Sequence, residues 1–109
     1  MKTTLIFKLK RSLFTKKNIE VEIRMDVYRV EESEGQKFPE GYRFSWIAFD
    51  RYDPQSKVLF DCHPPKGPHF HINEAIEEGF EWQGLEDAME LFWQKVWGHF
   101  GERDDGGEE

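Results

Sequence analysis

The chain of 109 residues has one cysteine, four histidines and no apolar run long enough for a membrane helix. A single cysteine cannot form an internal disulfide, which favours a reducing compartment. A membrane helix needs about 20 consecutive apolar residues, and lysine and arginine interrupt the amino-terminal segment. These absences predict a cytoplasmic protein with no membrane association.

Metal-binding motifs are also missing. The chain contains no Cys-x-x-Cys and no His-Glu-x-x-His. Closed metal sites generally need four ligands, and the histidines supply few of them. We therefore expect no native metal and no cofactor.

Charge is distributed unevenly around a net value of −7. Residues 1–17 carry six basic side chains and no acidic one, whereas residues 74–109 carry twelve acidic and two basic ones. An acidic protein has low non-specific affinity for nucleic acid, because non-specific affinity depends on the release of counterions from phosphates. The basic segment is either a contact for phosphates or for an acidic partner, or an edge strand whose lysines prevent aggregation.

Alternating apolar and polar residues predict an antiparallel sheet. The pattern is clearest in "IEVEIRMDVYRV", residues 19–30, and shorter strands are predicted at 4–14, 42–51, 58–63 and 69–72. Residues 73–79 are expected to form a loop or one helical turn. Apolar residues at helical spacing from Leu85 to Val96 predict a helix.

The predicted fold is a single α+β domain at residues 1–100. It has an antiparallel sheet of four to five strands, with one C-terminal helix packed on it. Residues 101–109, "GERDDGGEE", contain no large apolar side chain and are expected to be a disordered acidic tail.

The most informative stretch is "KGPHFHI", residues 66–72. In a strand, residues i and i+2 point to the same side, so His69 and His71 would share one face while Phe70 and Ile72 face the core. A helix would separate the two imidazoles by about 200°, so a shared role requires a strand.

Three interpretations of the histidines remain open. As an acid–base pair, His69 and His71 could divide the proton transfers of a metal-free ribonuclease, with Lys66 stabilising charge on the phosphate. As a metal site, they could be joined by Asp61, Cys62 or His63. As the simplest alternative, they lie on the solvated face of a strand and have no function.

Two segments resemble the TumE-like family of small proteins encoded in bacterial and archaeal toxin–antitoxin pairs. The segments are "LFDCHPPKGPHFHI" and "FEWQGLEDAMELFWQKVW", about half of the chain. The matching positions are Asp61, Lys66, Gly67, His69, His71, Phe80, Trp82, Leu85, Phe92 and Val96. The resemblance implies a toxin neutralised by a DNA-binding antitoxin, with ribonuclease-type action on translation.

We therefore expect a toxin-like protein that acts on RNA and has a cognate antitoxin. His69 and His71 would be the acid–base pair, Lys66 would contact phosphate and Asp61 would orient a histidine. The alternatives are a non-enzymatic protein-interaction module and a metal-binding protein that uses the same histidines. A homodimer is expected through the N-terminal hairpin or the aromatic face of the helix.

Overall fold

The computed structural model describes residues 3–31 and 38–104, which form six strands and one α-helix. The strands are β1 (Thr3–Phe14), β2 (Glu20–Val30), β3 (Tyr42–Asp50), β4 (Asp53–His63), β5 (Gly67–Ile72) and β6 (Ile76–Gly79). A short 3₁₀ turn, Pro39–Gly41, precedes β3, and the helix α1 spans Leu85–Phe100. The α+β class and the single C-terminal helix are as predicted.

The sheet is an antiparallel meander in which each strand pairs with the next in the order β1-β2-β3-β4-β5-β6. The predicted number of four to five strands is too low, because β6 lies where a loop or helical turn was expected. The segment has only four residues, all exposed, so no buried face produces an alternating pattern in its sequence. Pairing with β5 makes it a strand.

One face of the sheet and α1 enclose the core. Every second residue of the central strands packs against the apolar face of α1. This matches the period of two in the strand sequences and the helical spacing of apolar residues in α1. The fully buried side chains include Val21, Ile23, Val27, Trp46, Ala48, Val58, Phe60, Phe92 and Val96. Trp46 and Phe60 both contact the ring of Phe92 edge-on, at centroid distances of 5.7 and 5.4 Å. The helix therefore covers one face and leaves the opposite face, here called the open face, without it.

Strand β1 is far less buried than its alternating sequence suggests. Leu13 is buried, but Leu5, Ile6 and Phe7 are 45%, 48% and 36% exposed. The register with β2 shifts between Leu5 and Phe7, which marks a bulge. Most of β1 is therefore a wet edge strand that also carries basic residues.

Residues 101–104 lie beside the end of β1. Arg103 forms a bridge with Thr15, and the backbone N–H of Asp104 donates to the carbonyl of Phe14 at 2.8 Å. The first part of the predicted disordered tail is thus hydrogen-bonded to the domain. Residues 105–109 lie outside the described part of the chain, where disorder stays a prediction.

Candidate functional site

The sequence-predicted site residues lie on and between β4 and β5. Asp61 stands directly opposite His69, and Leu59 opposite His71. Phe60 and Phe70, the intervening residues, are buried on the helix side, with their rings stacked at 5.1 Å. The alternation of the strands therefore directs the carboxylate and both imidazoles to the open face.

His69 and His71 are neighbours, as the strand spacing predicts. Their ring centroids are 5.0 Å apart and the rings are nearly perpendicular, at 77°. His69 is buried, with 6% of its surface exposed, whereas His71 is half-buried. Phe70 is buried on the opposite side and Ile72 is half-buried there. Solvent and any ligand therefore reach His71 more easily than His69.

A turn at Gly67 sets the orientation of His69. Gly67 has a positive φ of 78°, a conformation that costs little for glycine and is strained for most other residues. Its carbonyl oxygen lies 2.9 Å from Nδ1 of His69. Because a carbonyl oxygen only accepts, Nδ1 carries the hydrogen of this bond.

The other ring nitrogen of His69 faces Asp61. Nε2 lies 2.8 Å from Oδ1, yet that buried oxygen has no properly aligned hydrogen-bond donor among the described residues. The two groups are therefore in close electrostatic contact. This contact is attractive when Nε2 of His69 carries a proton and repulsive when it does not. In a neutral ring with its hydrogen on Nδ1, Nε2 and Oδ1 are two electron-rich atoms in close approach, and a proton or a positive charge between them relieves that contact.

Glu77 is a site residue that the sequence did not reveal. It lies on β6 directly opposite His71 and forms an ion pair with Lys66. The hydrogen bond from Lys66 holds the pKa of Glu77 below its usual value, and the nearby histidines act in the same direction more weakly. The missed signal was hairpin symmetry, because residues equidistant from the turn at 73–75 pair across it.

Lys66 is close to the histidines but already engaged. Its ammonium group binds Glu77, and both side chains are substantially exposed, at 59% and 44%. A phosphate would therefore compete with a carboxylate for this lysine. The predicted phosphate contact requires Lys66 to change partner.

Three side chains could hold a cation together. His69, His71 and Glu77 each offer a ligand atom, and these atoms all lie within 4.8 Å of one another. Two imidazoles and a carboxylate are ligand types that zinc accepts. This set differs from the one considered from sequence, because Glu77 replaces Asp61, Cys62 and His63.

Cys62 and His63 are not part of this group. Cys62 is buried on the helix side, and burial, with a contribution from Asp61, raises the pKa of its thiol to about 11. A neutral thiol is a poor metal ligand and a poor nucleophile. His63 is exposed at the end of β4, opposite Gly67.

The remaining histidine, His99, belongs to α1. Its Nε2 lies 3.0 Å from Oγ of Ser56, and burial lowers the pKa of its ring. It therefore has no direct part in the open-face site.

A cleft with a volume of about 390 Å³ lies beside Asp61. Arg43, Ser45 and His63 are among its lining residues. The guanidinium of Arg43 lies over the ring of Tyr28, 5.2 Å from its centroid. The cleft therefore places a guanidinium group, a hydroxyl group and an imidazole beside Asp61.

No helix in the described part of the chain is long and apolar enough to cross a membrane. The resemblance to the TumE-like family stays a prediction from the motif residues given above. No family model, curated protein or solved structure matches the chain.

Proposed function

We propose that the protein is a toxin-like component of a toxin–antitoxin pair that acts in the cytoplasm by cleaving RNA. The observation that carries this proposal is the placement of two imidazoles 5.0 Å apart on a face that α1 does not cover. One imidazole removes the proton from a ribose 2′-OH, whose oxygen attacks the adjacent phosphorus. The other gives a proton to the departing 5′-oxygen, leaving a cyclic phosphate and a free hydroxyl end.

The surroundings suit the two histidines to different roles. His71 is the more accessible, so we assign it the removal of the 2′-OH proton. The carbonyl of Gly67 and the carboxylate of Asp61 lie at the two ring nitrogens of His69 and hold this buried ring in one orientation. We therefore assign His69 the donation of a proton to the leaving oxygen and Asp61 the positioning of that ring.

Two cations near the histidines support binding of a phosphodiester. Lys66 would release Glu77 and bind a phosphate oxygen. Its positive charge would then lie where negative charge develops on the phosphate during the reaction. Arg43 would contact a neighbouring phosphate from the cleft beside Asp61. Direct contacts of this kind suit a protein whose overall charge disfavours non-specific binding of nucleic acid.

The test is RNA cleavage by purified protein, combined with growth after expression. The His71→Ala variant should cleave about 100- to 10,000-fold more slowly, the usual loss for one general acid or base. His99→Gln is the matched control, because His99 lies on α1 outside the open-face site and its replacement should leave the rate nearly unchanged. An all-deoxy substrate should not be cleaved, because its attacking hydroxyl group is absent.

Either of two results would refute this mechanism. Cleavage of the all-deoxy substrate would remove the 2′-OH as the attacking group. Full activity of a folded His69→Gln/His71→Ala double variant would remove the pair itself.

A non-enzymatic interaction module is the second candidate, and β1 favours it. Leu5, Ile6 and Phe7 expose large apolar surfaces on this edge strand, and exposed apolar patches commonly mark interfaces. The partner would be an antitoxin or a second copy that forms the expected homodimer. Toxicity that persists in the His71→Ala variant, but is lost in Ile6→Lys, would favour this function over catalysis.

A further inference from the structure

The open-face site has the ligands and the orientation of a zinc site. We propose that His69, His71 and Glu77 bind one Zn²⁺ ion and that this ion inhibits the acid–base pair. The binding stands on the geometry alone, whereas the inhibition rests on the proposed ribonuclease function. Zinc thereby becomes a regulator of the site instead of a cofactor of its chemistry.

His69 is already held as zinc-binding histidines usually are. Such histidines commonly donate one ring N–H to a carbonyl or carboxylate, which fixes the tautomer and frees the other nitrogen for the metal. In this chain Nδ1 donates to the Gly67 carbonyl at 2.9 Å, so Nε2 is the available ligand. The buried Oδ1 atom of Asp61 lies 2.8 Å from Nε2 and has no hydrogen bond among the described residues. A cation at Nε2 would relieve the contact between two electron-rich atoms.

The other two ligands are brought together by the β5–β6 hairpin. His71 and Glu77 are direct cross-strand partners, and His69 precedes His71 by two residues on the same face. Ligand atoms around a tetrahedral zinc ion are about 3.3 Å apart, given bonds of about 2.0 Å. The atoms here lie within 4.8 Å. Small rotations of the exposed Glu77 and the half-buried His71 can therefore close the site around the buried His69.

Three protein ligands leave room for one water molecule, as in open zinc sites. Magnesium and calcium prefer oxygen ligands, so two imidazoles select against them. Occupation by zinc would take the Nε2 atom of His69 and one nitrogen of His71. Neither ring could then transfer a proton at that atom, which is why the ion should inhibit.

Lys66 competes with the metal. Its ammonium group is paired with Glu77, and zinc must replace that partner. Substituting Lys66→Met removes the competitor without touching a ligand. We therefore expect Lys66→Met to bind zinc more tightly than the wild-type protein.

Binding is tested first, without RNA, on full-length protein carrying no histidine tag. Titration with ZnCl₂ against a chromophoric chelator should give one ion per chain, and excess Mg²⁺ should not displace it. His71→Gln and Glu77→Gln should each weaken binding at least about 10- to 100-fold, the loss seen even for outer-shell groups. Glu78→Gln is the matched control on β6 and should bind as wild type does.

Folding must be checked because His69 is buried. Circular dichroism of each variant decides which are comparable, and His71→Gln and Glu77→Gln carry the test if His69→Gln unfolds. Absence of stoichiometric binding to the folded wild-type protein would overturn the proposed site. Binding equally tight in wild type, His71→Gln and Glu77→Gln would overturn it as well.

Inhibition is measured separately in the RNA-cleavage assay. Zinc should abolish cleavage by the wild-type protein, EDTA should restore it, and Glu77→Gln should require at least about ten times more zinc for half inhibition. Unchanged cleavage at saturating zinc would overturn the inhibition while leaving the binding result intact. A preparation that binds zinc but never cleaves RNA would instead refute the proposed function, so the two failures are distinguishable.

Discussion

The imidazole of His69 faces the carboxylate of Asp61 across β4 and β5, with Nε2 2.8 Å from Oδ1. The other ring nitrogen already donates to the carbonyl of Gly67. A proton or a metal ion at Nε2 removes the repulsion between the two facing atoms. Both proposals depend on this contact, because the acid–base pair uses the proton and the zinc site uses the metal ion.

The first prediction is that Asp61 and His69 are energetically coupled. A double-mutant cycle with Asp61→Asn and His69→Gln should give a coupling of about 0.5–3 kcal/mol, the range for residues in contact. The side chain of His69 is only 8% exposed, so water screens the pair weakly. Urea unfolding of the four proteins at neutral pH measures this free energy.

An exposed ion pair on the same face provides the control. Lys8 and Asp26 are 3.2 Å apart, with side chains 63% and 34% exposed. Such surface pairs contribute about 0–1 kcal/mol, so their cycle should give the smaller value. Equal couplings in the two cycles would contradict the role assigned to the Asp61–His69 contact.

The second prediction concerns Cys62 at alkaline pH. Burial raises the pKa of its thiol to about 11 in the folded protein, from an ordinary value of 9.0. The neutral thiol therefore stabilises the fold fully below pH 9, and this contribution is lost as pH rises through 11. The difference corresponds to at most about 3 kcal/mol, at 1.36 kcal/mol per pKa unit.

Unfolding free energies of wild type and Cys62→Ala, measured between pH 8 and 11, check this prediction. The wild-type protein should lose stability faster with pH, because the variant lacks the thiol while all other groups titrate alike. Parallel curves would show that the thiol titrates normally in the folded state.

The third prediction concerns His99 at acidic pH. Burial lowers the pKa of this ring in the folded protein, so the unfolded chain binds its proton more readily. The contribution of the neutral ring is present above about pH 6.5 and is lost as pH falls through the lowered value. His99→Gln, which can still contact Ser56, should therefore lose less stability than wild type between pH 7.5 and 5. Proton NMR titration of the His99 ring should show the lowered pKa directly, and a raised value would contradict it.

The fourth prediction uses two tryptophans in different environments. The Nε1–H group of Trp46 is buried without a hydrogen-bond partner among the residues described, whereas that of Trp82 donates to Glu40 at 2.7 Å. Removing an unsatisfied buried donor recovers about 1–3 kcal/mol of unfolding free energy. This gain offsets the packing contacts that are lost with the smaller phenylalanine ring. Trp46→Phe should therefore stay within about 1 kcal/mol of wild type in urea unfolding, because these terms nearly cancel.

Trp82→Phe is the comparison. It deletes a formed hydrogen bond and should lower the unfolding free energy by about 0.5–1.5 kcal/mol. A large loss for Trp46→Phe would mean that its N–H group has a partner in solution, such as a bound water molecule.

The fifth prediction concerns the segment that follows α1. Backbone hydrogen bonds join Lys16 to Glu102 and Asp104 to Phe14, both at 2.8 Å. Truncation after Gly101 should lower the unfolding free energy by about 1–3 kcal/mol, because two such bonds are lost. It should also increase self-association, because a longer stretch of the β1 edge loses its partner.

Truncation after Asp104 is the matched control for this experiment, since it keeps both hydrogen bonds. Urea unfolding and sedimentation velocity of the two shortened proteins distinguish the outcomes. Equal behaviour of the two would mean that residues 102–104 do not protect the edge.

The sequence best predicted the elements in which buried and exposed residues alternate with the period of a strand or a helix. Strand β2 has a sustained period of two because one face is buried and the other wet. Helix α1 follows its apolar spacing from Leu85 and ends at Phe100, with Gly101 as its cap. Strand β6 was missed because its exposed residues carry no such pattern.

The shared orientation of His69 and His71 was determined by the sequence alone, because neighbours two apart on a strand point to the same side. The tertiary structure decided which groups surround them. Asp61 reached His69 through the register of β4 and β5, Glu77 reached His71 through a hairpin, and Cys62 was turned into the core. The geometry of each turn and the burial of one face of the whole sheet fix the cross-strand register, and neither is contained in the residue pattern of a single strand.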